Sequence, residues 1–297
     1  MSITVRVPAK VNVQLAVGPA RPDGFHDLAN VFLAVSLYDE VTATPAESLR
    51  VTCEGPDADR VPLDRTNLAA RAAELLAARH GITPDVHLHI AKDIPVAGGM
   101  AGGSADGAGA LLACDALWGT GASRAELLDI CAELGSDVPF SLVGGAALGT
   151  GRGEHLTELP VGGTFHWVFA VADGGLSTPA VYAEFDRLAP DVPAPAVSPA
   201  LLDALRAGDP AALAGALAND LQPAALSLRP SLADTLAAGT AAGALAGIVS
   251  GSGPTTAFLV KDAEAAGSVA AALVASGTCR TARTATSPAP GARVLTA

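Results

Sequence analysis

The segment Pro95-Val96-Ala97-Gly98-Gly99-Met100-Ala101-Gly102-Gly103-Ser104 carries four glycines in six residues. Backbone stripped of side chains on this scale is kept where the chain must pass close to something else. The segment lies between a strand signal, Val86 to Ile90, and a helix signal, Ser104 to Trp118. Bare N–H groups therefore meet the positive end of a helix dipole, an arrangement suited to phosphate. It is not a Walker A loop, because Ser104 stands where the lysine belongs although Gly98 and Gly103 are correctly spaced, and it is not a G-x-G-x-x-G loop. The other reading is a permissive loop that lets a helix pack closely on a sheet.

Around this loop the apolar periodicity predicts an α+β fold. Strands are expected at Ile3 to Val7, Val11 to Val17, Val31 to Leu37 and Leu49 to Cys53, with a turn at Arg21-Pro22-Asp23-Gly24. Asn67 caps a helix that ends at Gly81, and Ser123 with Glu126 forms a capping box for a helix that ends at Gly135. Later come a strand at Trp167 to Ala172 and helices near Leu201 to Arg206, Ala211 to Ala218 and Ser231 to Ala242. A strand, turn and strand over Gly247 to Val260, a helix at Ala263 to Val274 and a strand near Cys279 complete a small sheet backed by helices. The Pro-rich stretch Leu188 to Pro199 reads as a domain boundary or as a long surface loop.

Charge and hydropathy exclude several classes of partner. Lys and Arg number 18 against 30 Asp and Glu, a net charge of −12 that repels nucleic acid and anionic lipid. The most apolar stretches, Leu236 to Val249 and Ala263 to Val274, are interrupted before they reach membrane-spanning length. Met1 to Val17 alternates charged and apolar residues instead of forming an export signal, and the four cysteines form no C-x-x-C pair. A soluble protein of a reducing cytoplasm is expected, with a monomer and a homodimer both open.

Several polar residues sit where chemistry could use them. Lys10, in Pro8-Ala9-Lys10-Val11-Asn12, is a cation within an apolar strand, although many such lysines reach solvent. Asp137 follows Gly135-Ser136, either free for chemistry or tied into an Asx turn. Phe25 and His26, just past the Pro-Asp-Gly turn, suit a flat heteroaromatic ligand or form a minor surface cluster. The run Ser250-Gly251-Ser252-Gly253 is a second Gly-rich loop or a tight hairpin turn. His87 and His89 alternate on one strand without further ligands and read as a solvated sheet face. Tyr182 carries no signal by itself.

Taken in order, Pro8 to Asn12, Pro95 to Ser104 and Ser250 to Gly253 resemble the three motifs of the GHMP kinase superfamily. Arg21-Pro22-Asp23-Gly24-Phe25-His26 and Gly135-Ser136-Asp137-Val138-Pro139-Phe140 are similar to motifs of the branch that phosphorylates a cytidine-diphosphate-linked methylerythritol. The resemblance implies a two-domain GHMP kinase fold, with a ribosomal-S5-like, ATP-binding domain over 1–160 and a ferredoxin-like domain over 161–297. It implies transfer from ATP, with Mg²⁺ across the β- and γ-phosphates, to the 2-hydroxyl of that substrate in the non-mevalonate isoprenoid route. In that scheme Asp137 is the general base, and Lys10 holds it ionised and neutralises the transferring phosphoryl. Asn12 positions the hydroxyl. Pro95, Val96, Ala97, Gly98, Gly99, Met100, Ala101, Gly102, Gly103 and Ser104 surround the ATP phosphates, with Asn67 and Leu68 near adenine. Phe25, His26 and Tyr182 hold cytosine, and Gly251 and Gly253 border the substrate. No protein metal ligand is assigned; Ser104 is only a candidate contact. Three departures from the family's common pattern stand out: Phe25 for Tyr, Met100-Ala101 for Leu-Gly, and Asp106 for Asn. The rival readings are another small-molecule kinase of the superfamily, acting on a substrate without a base, and a non-catalytic nucleotide-binding regulator.

Overall fold

The structure is a computed structural model, described here for residues 1–96 and 98–295. The first half runs β1 (Ile3–Ala20), β2 (His26–Pro45), β3 (Arg50–Glu54), α1 (Leu68–His80), β4 (Val86–Ala91), α2 (Gly102–Trp118), α3 (Arg124–Leu134), α4 (Val138–Val143), β5 (Ala146–Thr150) and β6 (His155–Glu158). The second runs β7 (Phe165–Val171), α5 (Thr178–Leu188), α6 (Pro199–Ala207), α7 (Pro210–Ala216), β8 (Ala218–Asn219), α8 (Gln222–Leu228), α9 (Ser231–Ala241), β9 (Ala246–Val249), β10 (Thr256–Val260), α10 (Ala263–Ser276), β11 (Thr281–Ser287) and β12 (Arg293–Val294).

Residues Ile3 to Val17 form one long strand where the sequence suggests two. The alternation is interrupted by irregularities at Pro8/Ala9 and Asn12/Gln14, which shift register against β2 without ending the pairing. Odd positions Val5, Val7, Ala9, Val11 and Val13 are fully buried beneath α2. Even positions Lys10, Asn12 and Gln14 point toward the second half of the chain, which buries them as well. Period-two geometry thus sets an apolar face and a polar face on the same strand. Helix α2 can lie this close because Gly109 has no side chain: a Cβ there would stand 2.8 Å from Val7 and Val41 methyls.

The first sheet has the order β12-β1-β2-β4-β3, with β5 on β2, β6 on β5 and β8 beside β1. The second is antiparallel, in the order β11-β7-β10-β9. With α9 and α10 between its strands, this is the β-α-β-β-α-β arrangement of ferredoxin-like sheets. The largest apolar cluster runs without a break from Val5 and Leu111 to Trp167 of β7 and Leu201 of α6, so the halves share a core. Of the stretch Leu188 to Pro199, residues 189–198 form a loop strapped across β1, since Gln14 donates to the Ala196 carbonyl (2.7 Å) and accepts from the Ser198 N–H (2.9 Å).

Several boundaries differ from the sequence reading. Helix α2 begins at Gly102, so Gly102 and Gly103 form its first turn. Of the capping box on α3, only half forms: Ser123 accepts from the Glu126 N–H, while the Glu126 carboxylate turns to His80. Helices α4, α5 and α8 and strands β5, β6, β8 and β12 are additional to the sequence expectation. His87 and His89 are tied together by Thr52, at 2.7 and 2.9 Å from its hydroxyl, so their face is hydrogen-bonded as well as partly open.

Candidate active site

A cavity of about 700 Å³ opens between the halves, lined by the Gly-rich loop, the polar face of β1, the turn after β1, Asp137 and one face of α5. Lys10 sits at its centre. Its ammonium is buried, donates to Asn12 Oδ1 at 2.6 Å, lies 3.4 Å from Asp137 Oδ2 and stands 5.8 Å from the Phe32 ring centroid. Asn12 in turn donates to Asn30 Oδ1 at 2.8 Å, so a buried hydrogen-bonded chain fixes the lysine's direction. Asp137 precedes α4, yet its side chain makes no capping bond; its carboxylate is free to face Lys10 and the cavity.

Gly98, Gly99, Ala101, Gly102, Gly103 and Ser104 line the cavity directly. Ala101 takes the left-handed conformation (φ 60°, ψ 33°) just before α2, a place where Gly costs less. The loop is held from three sides: Lys10 N–H donates to the Met100 carbonyl (3.2 Å), Ser250 Oγ donates to the Gly99 carbonyl (3.1 Å), and Lys92 grips its ends. Lys92 Nζ bonds Asp39 Oδ2 (2.5 Å) and Asp106 Oδ2 (2.7 Å), while Asp39 Oδ1 accepts the N–H groups of Asp93 and Ile94. Asp106 therefore faces a buried ammonium; burial, with the Asp39 charge added, pushes its carboxyl up to about 8 against the pull of Lys92.

At the other end, Phe25 is half exposed, with the Arg152 guanidinium 5.1 Å from its ring centroid. His26 is buried. Its Nε2 lies 2.8 Å from Asp186 Oδ1, and its ring lies 5.0 Å from the Tyr182 ring, tilted by 32°, and meets Phe185 edge-on at 6.1 Å. Burial, and then the Asp137 charge, push the Tyr182 phenol upward, so it stays neutral. The Gly-rich run after β9 approaches this centre too: a Cβ on Gly251 would stand 3.2 Å from Asn12 Oδ1 and 3.4 Å from Lys10 Nζ.

Not every residue named from the sequence lines the cavity. Asn67 is buried, with Oδ1 accepting the Ala69 N–H and Nδ2 donating to Pro62 O, and Leu68 leans on Gly107. Pro95 and Val96 lie behind the loop, and the Met100 side chain is wholly within the core. Gly253 belongs to the turn before β10 and stays off the cavity. Ala97 lies outside the described residues. Sequence reasoning missed Asn30, Arg152, Asp186 and Asn219, the last of which holds the Val249 and Gly251 carbonyls at 2.8 Å each. Of these only Arg152, two residues beyond a β5 strand end in a Gly-x-Gly turn, had a local signal.

Residues 67–145 match the GHMP kinases N terminal domain, and residues 201–278 match the GHMP kinases C terminal domain. The chain is 82% identical to the 4-diphosphocytidyl-2-C-methyl-D-erythritol kinase of Streptomyces avermitilis, over 99% of this chain and 100% of that one. It is 62% identical to the enzyme of the same name from Thermobifida fusca, over 99% and 98%. A crystal structure of 4-(cytidine 5'-diphospho)-2C-methyl-D-erythritol kinase superposes with a TM-score of 0.77 at 33% identity, covering 95% of this chain and 98% of that one. The homoserine kinase of Cytophaga hutchinsonii shares the fold alone, with a TM-score of 0.76 at 21% identity over 99% and 97%. A loop of bare backbone facing a lysine–aspartate pair thus occurs within a full-length match, and the chain belongs to the 4-diphosphocytidyl-2-C-methyl-D-erythritol kinase family of GHMP kinases.

Proposed function

We propose that the chain transfers the γ-phosphoryl group of ATP to the 2-hydroxyl of 4-diphosphocytidyl-2-C-methyl-D-erythritol, with Asp137 as general base and Lys10 as the charge-neutralising cation. The observation that carries this reading is the position of the Lys10–Asp137 pair, 3.4 Å apart, in one cavity between the phosphate loop and the Phe25, His26 and Tyr182 cluster. Asp137 accepts the hydroxyl proton as the oxygen attacks phosphorus and the bond to ADP breaks. Lys10 balances charge on the transferring oxygens, and Asn12 orients the hydroxyl. The N–H groups of the loop and of the first turn of α2 face the phosphates. Phosphoryl transfer of this kind depends on positioning and charge more than on covalent chemistry. Arg152 adds a cation on the base side, where the substrate's own diphosphate would lie.

Among the described residues, no group of three His, Cys, Asp or Glu is placed to hold a metal ion. The cavity lining holds two carboxylates, Asp137 and Asp186, beside hydroxyls such as that of Ser104, a set that fits Mg²⁺ arriving on ATP with most of its waters retained. When bound, such an ion would supply charge neutralisation at the phosphates, and Ser104 is the candidate residue to touch it. We draw the domain division at 160/161, although β8 and β12 from beyond it join the first sheet; on that division the Gly-rich loop falls in the first domain and α5 in the second, and substrate binding is a joint task. Among the described residues no helix is long and apolar enough to cross a membrane. The four cysteines are free thiols, which supports our placing the enzyme in a reducing cytoplasm.

The test is ADP release from Mg-ATP with three alcohols: the cytidine-bearing substrate, methylerythritol without cytidine, and mevalonate. Turnover only with the first is expected; turnover with mevalonate would return the substrate assignment to another branch of the superfamily.

A further inference from the structure

Asp186 has no part in the reaction scheme, yet among the described residues it makes the single polar contact of the His26 ring, Nε2 to Oδ1 at 2.8 Å. It reaches across from α5, 160 positions later in the chain, to a side chain that lines the cavity. The His26 side chain is 5% exposed, whereas Asp186 is 45% exposed. An ionised carboxylate only accepts hydrogen bonds, so the ring nitrogen facing it carries a proton. Neutral imidazole has one proton to place, which leaves Nδ1 with a bare lone pair. Among the described residues Nδ1 has no hydrogen-bond partner. Tyr182 and Phe185, one turn apart on the same helix as Asp186, bracket the ring and restrict its rotation.

We propose that Asp186 is the positioning residue that makes His26 select cytosine: it fixes the Nε2–H tautomer and turns Nδ1 into an acceptor for the base's exocyclic amino group. This rests on the substrate reading above. Uracil carries a carbonyl where cytosine carries the amino group, and two acceptors facing one another exclude a hydrogen bond. Without Asp186 the imidazole can move its proton to Nδ1 and accommodate that carbonyl. Discrimination between bases then weakens, while the phosphate end of the cavity is unaffected.

The experiment compares cytidine- and uridine-diphosphate-linked methylerythritol as substrates of the wild type, Asp186→Ala and Asp186→Glu, with nitrogen-15 NMR of the His26 ring. Asp186→Ala is expected to raise KM for the cytidine substrate about tenfold, the effect of one misplaced hydrogen bond, with kcat and the ATP KM unchanged. The cytidine-to-uridine ratio of kcat/KM should fall by a similar factor, the ring spectrum should shift from a pure Nε2–H form to a mixture, and Asp186→Glu should restore much of both. If the wild type discriminates and Asp186→Ala discriminates equally well with an unchanged ring spectrum, the role of Asp186 is overturned. If the wild type accepts both bases equally, the cytosine reading of this end of the cavity fails instead.

Discussion

At the end of the cavity proposed for phosphate the lining is largely backbone, drawn from one loop and the first turn of α2. At the base end it is side chains, with Phe25 and His26 from the first half meeting Tyr182, Phe185 and Asp186 from the second. Phosphate is the same in every nucleotide, and a rigid array of N–H groups serves any of them. A base is told from other bases by the direction of a few donors and acceptors, which requires side chains held by partners of their own. The Lys10–Asp137 pair stands between the ends. Chemistry, nucleotide grip and base selection should therefore fail separately.

The largest effect is expected at the centre. Asp137→Ala should cut kcat by a factor on the order of 10² to 10⁴ and leave ATP affinity nearly intact, as read by steady-state kinetics and nucleotide titration. Unchanged turnover would remove Asp137 from the mechanism and leave the two ends without a shared centre.

Asp106 sharpens the account of the phosphate end. Its carboxyl, pushed up to about 8 by burial, keeps its proton on folding where the unfolded chain, at the ordinary value of 3.8, has lost it. The folded state binds more protons between those values, so this contribution to stability is full below the lower one and is lost as pH rises toward 8. Asp106→Asn cannot ionise and leaves Lys92 paired with Asp39. The variant's gain in Tm over the wild type should thus be greater near pH 8 than near pH 5. A gain that is constant across that range would show that Asp106 titrates normally. A smaller effect is expected next door: Ala101→Gly relieves the left-handed backbone and should stabilise the protein by about 0.5 to 1 kcal/mol in denaturant unfolding, the relief being partly offset by the entropy of glycine. Destabilisation would mean that the Ala101 methyl packs better than its backbone is strained.

How much of this was legible differs between the same two ends. Glycine density and a following helix marked the Gly-rich loop that lines the cavity, and Asn67 with Gly81 marked both limits of α1. Gly109, which the sequence reading did not single out, serves helix–sheet contact and lies outside the lining of this cavity. The base end was legible only as Phe25 and His26. Helix α5 had a usable signal, Ser177 followed by Pro179 and then Val181 and Phe185 four apart, but the flanking glycines and prolines obscured it. Asp186, Asn30 and Asn219 are common polar residues whose partners lie far away in sequence, and no local pattern records such a pairing. The two-residue strands β8 and β12 were invisible because their pairing depends on β1 alone.

The central claim, that the two ends act independently, is tested most directly by the kinetics of His26→Ala. An interaction worth about 1 to 3 kcal/mol predicts a rise of roughly 5- to 150-fold in KM for the cytidine-bearing substrate, with the KM for ATP unchanged. If both KM values rise together, the cavity is a single coupled site, and the assignment of the base end to His26 is wrong.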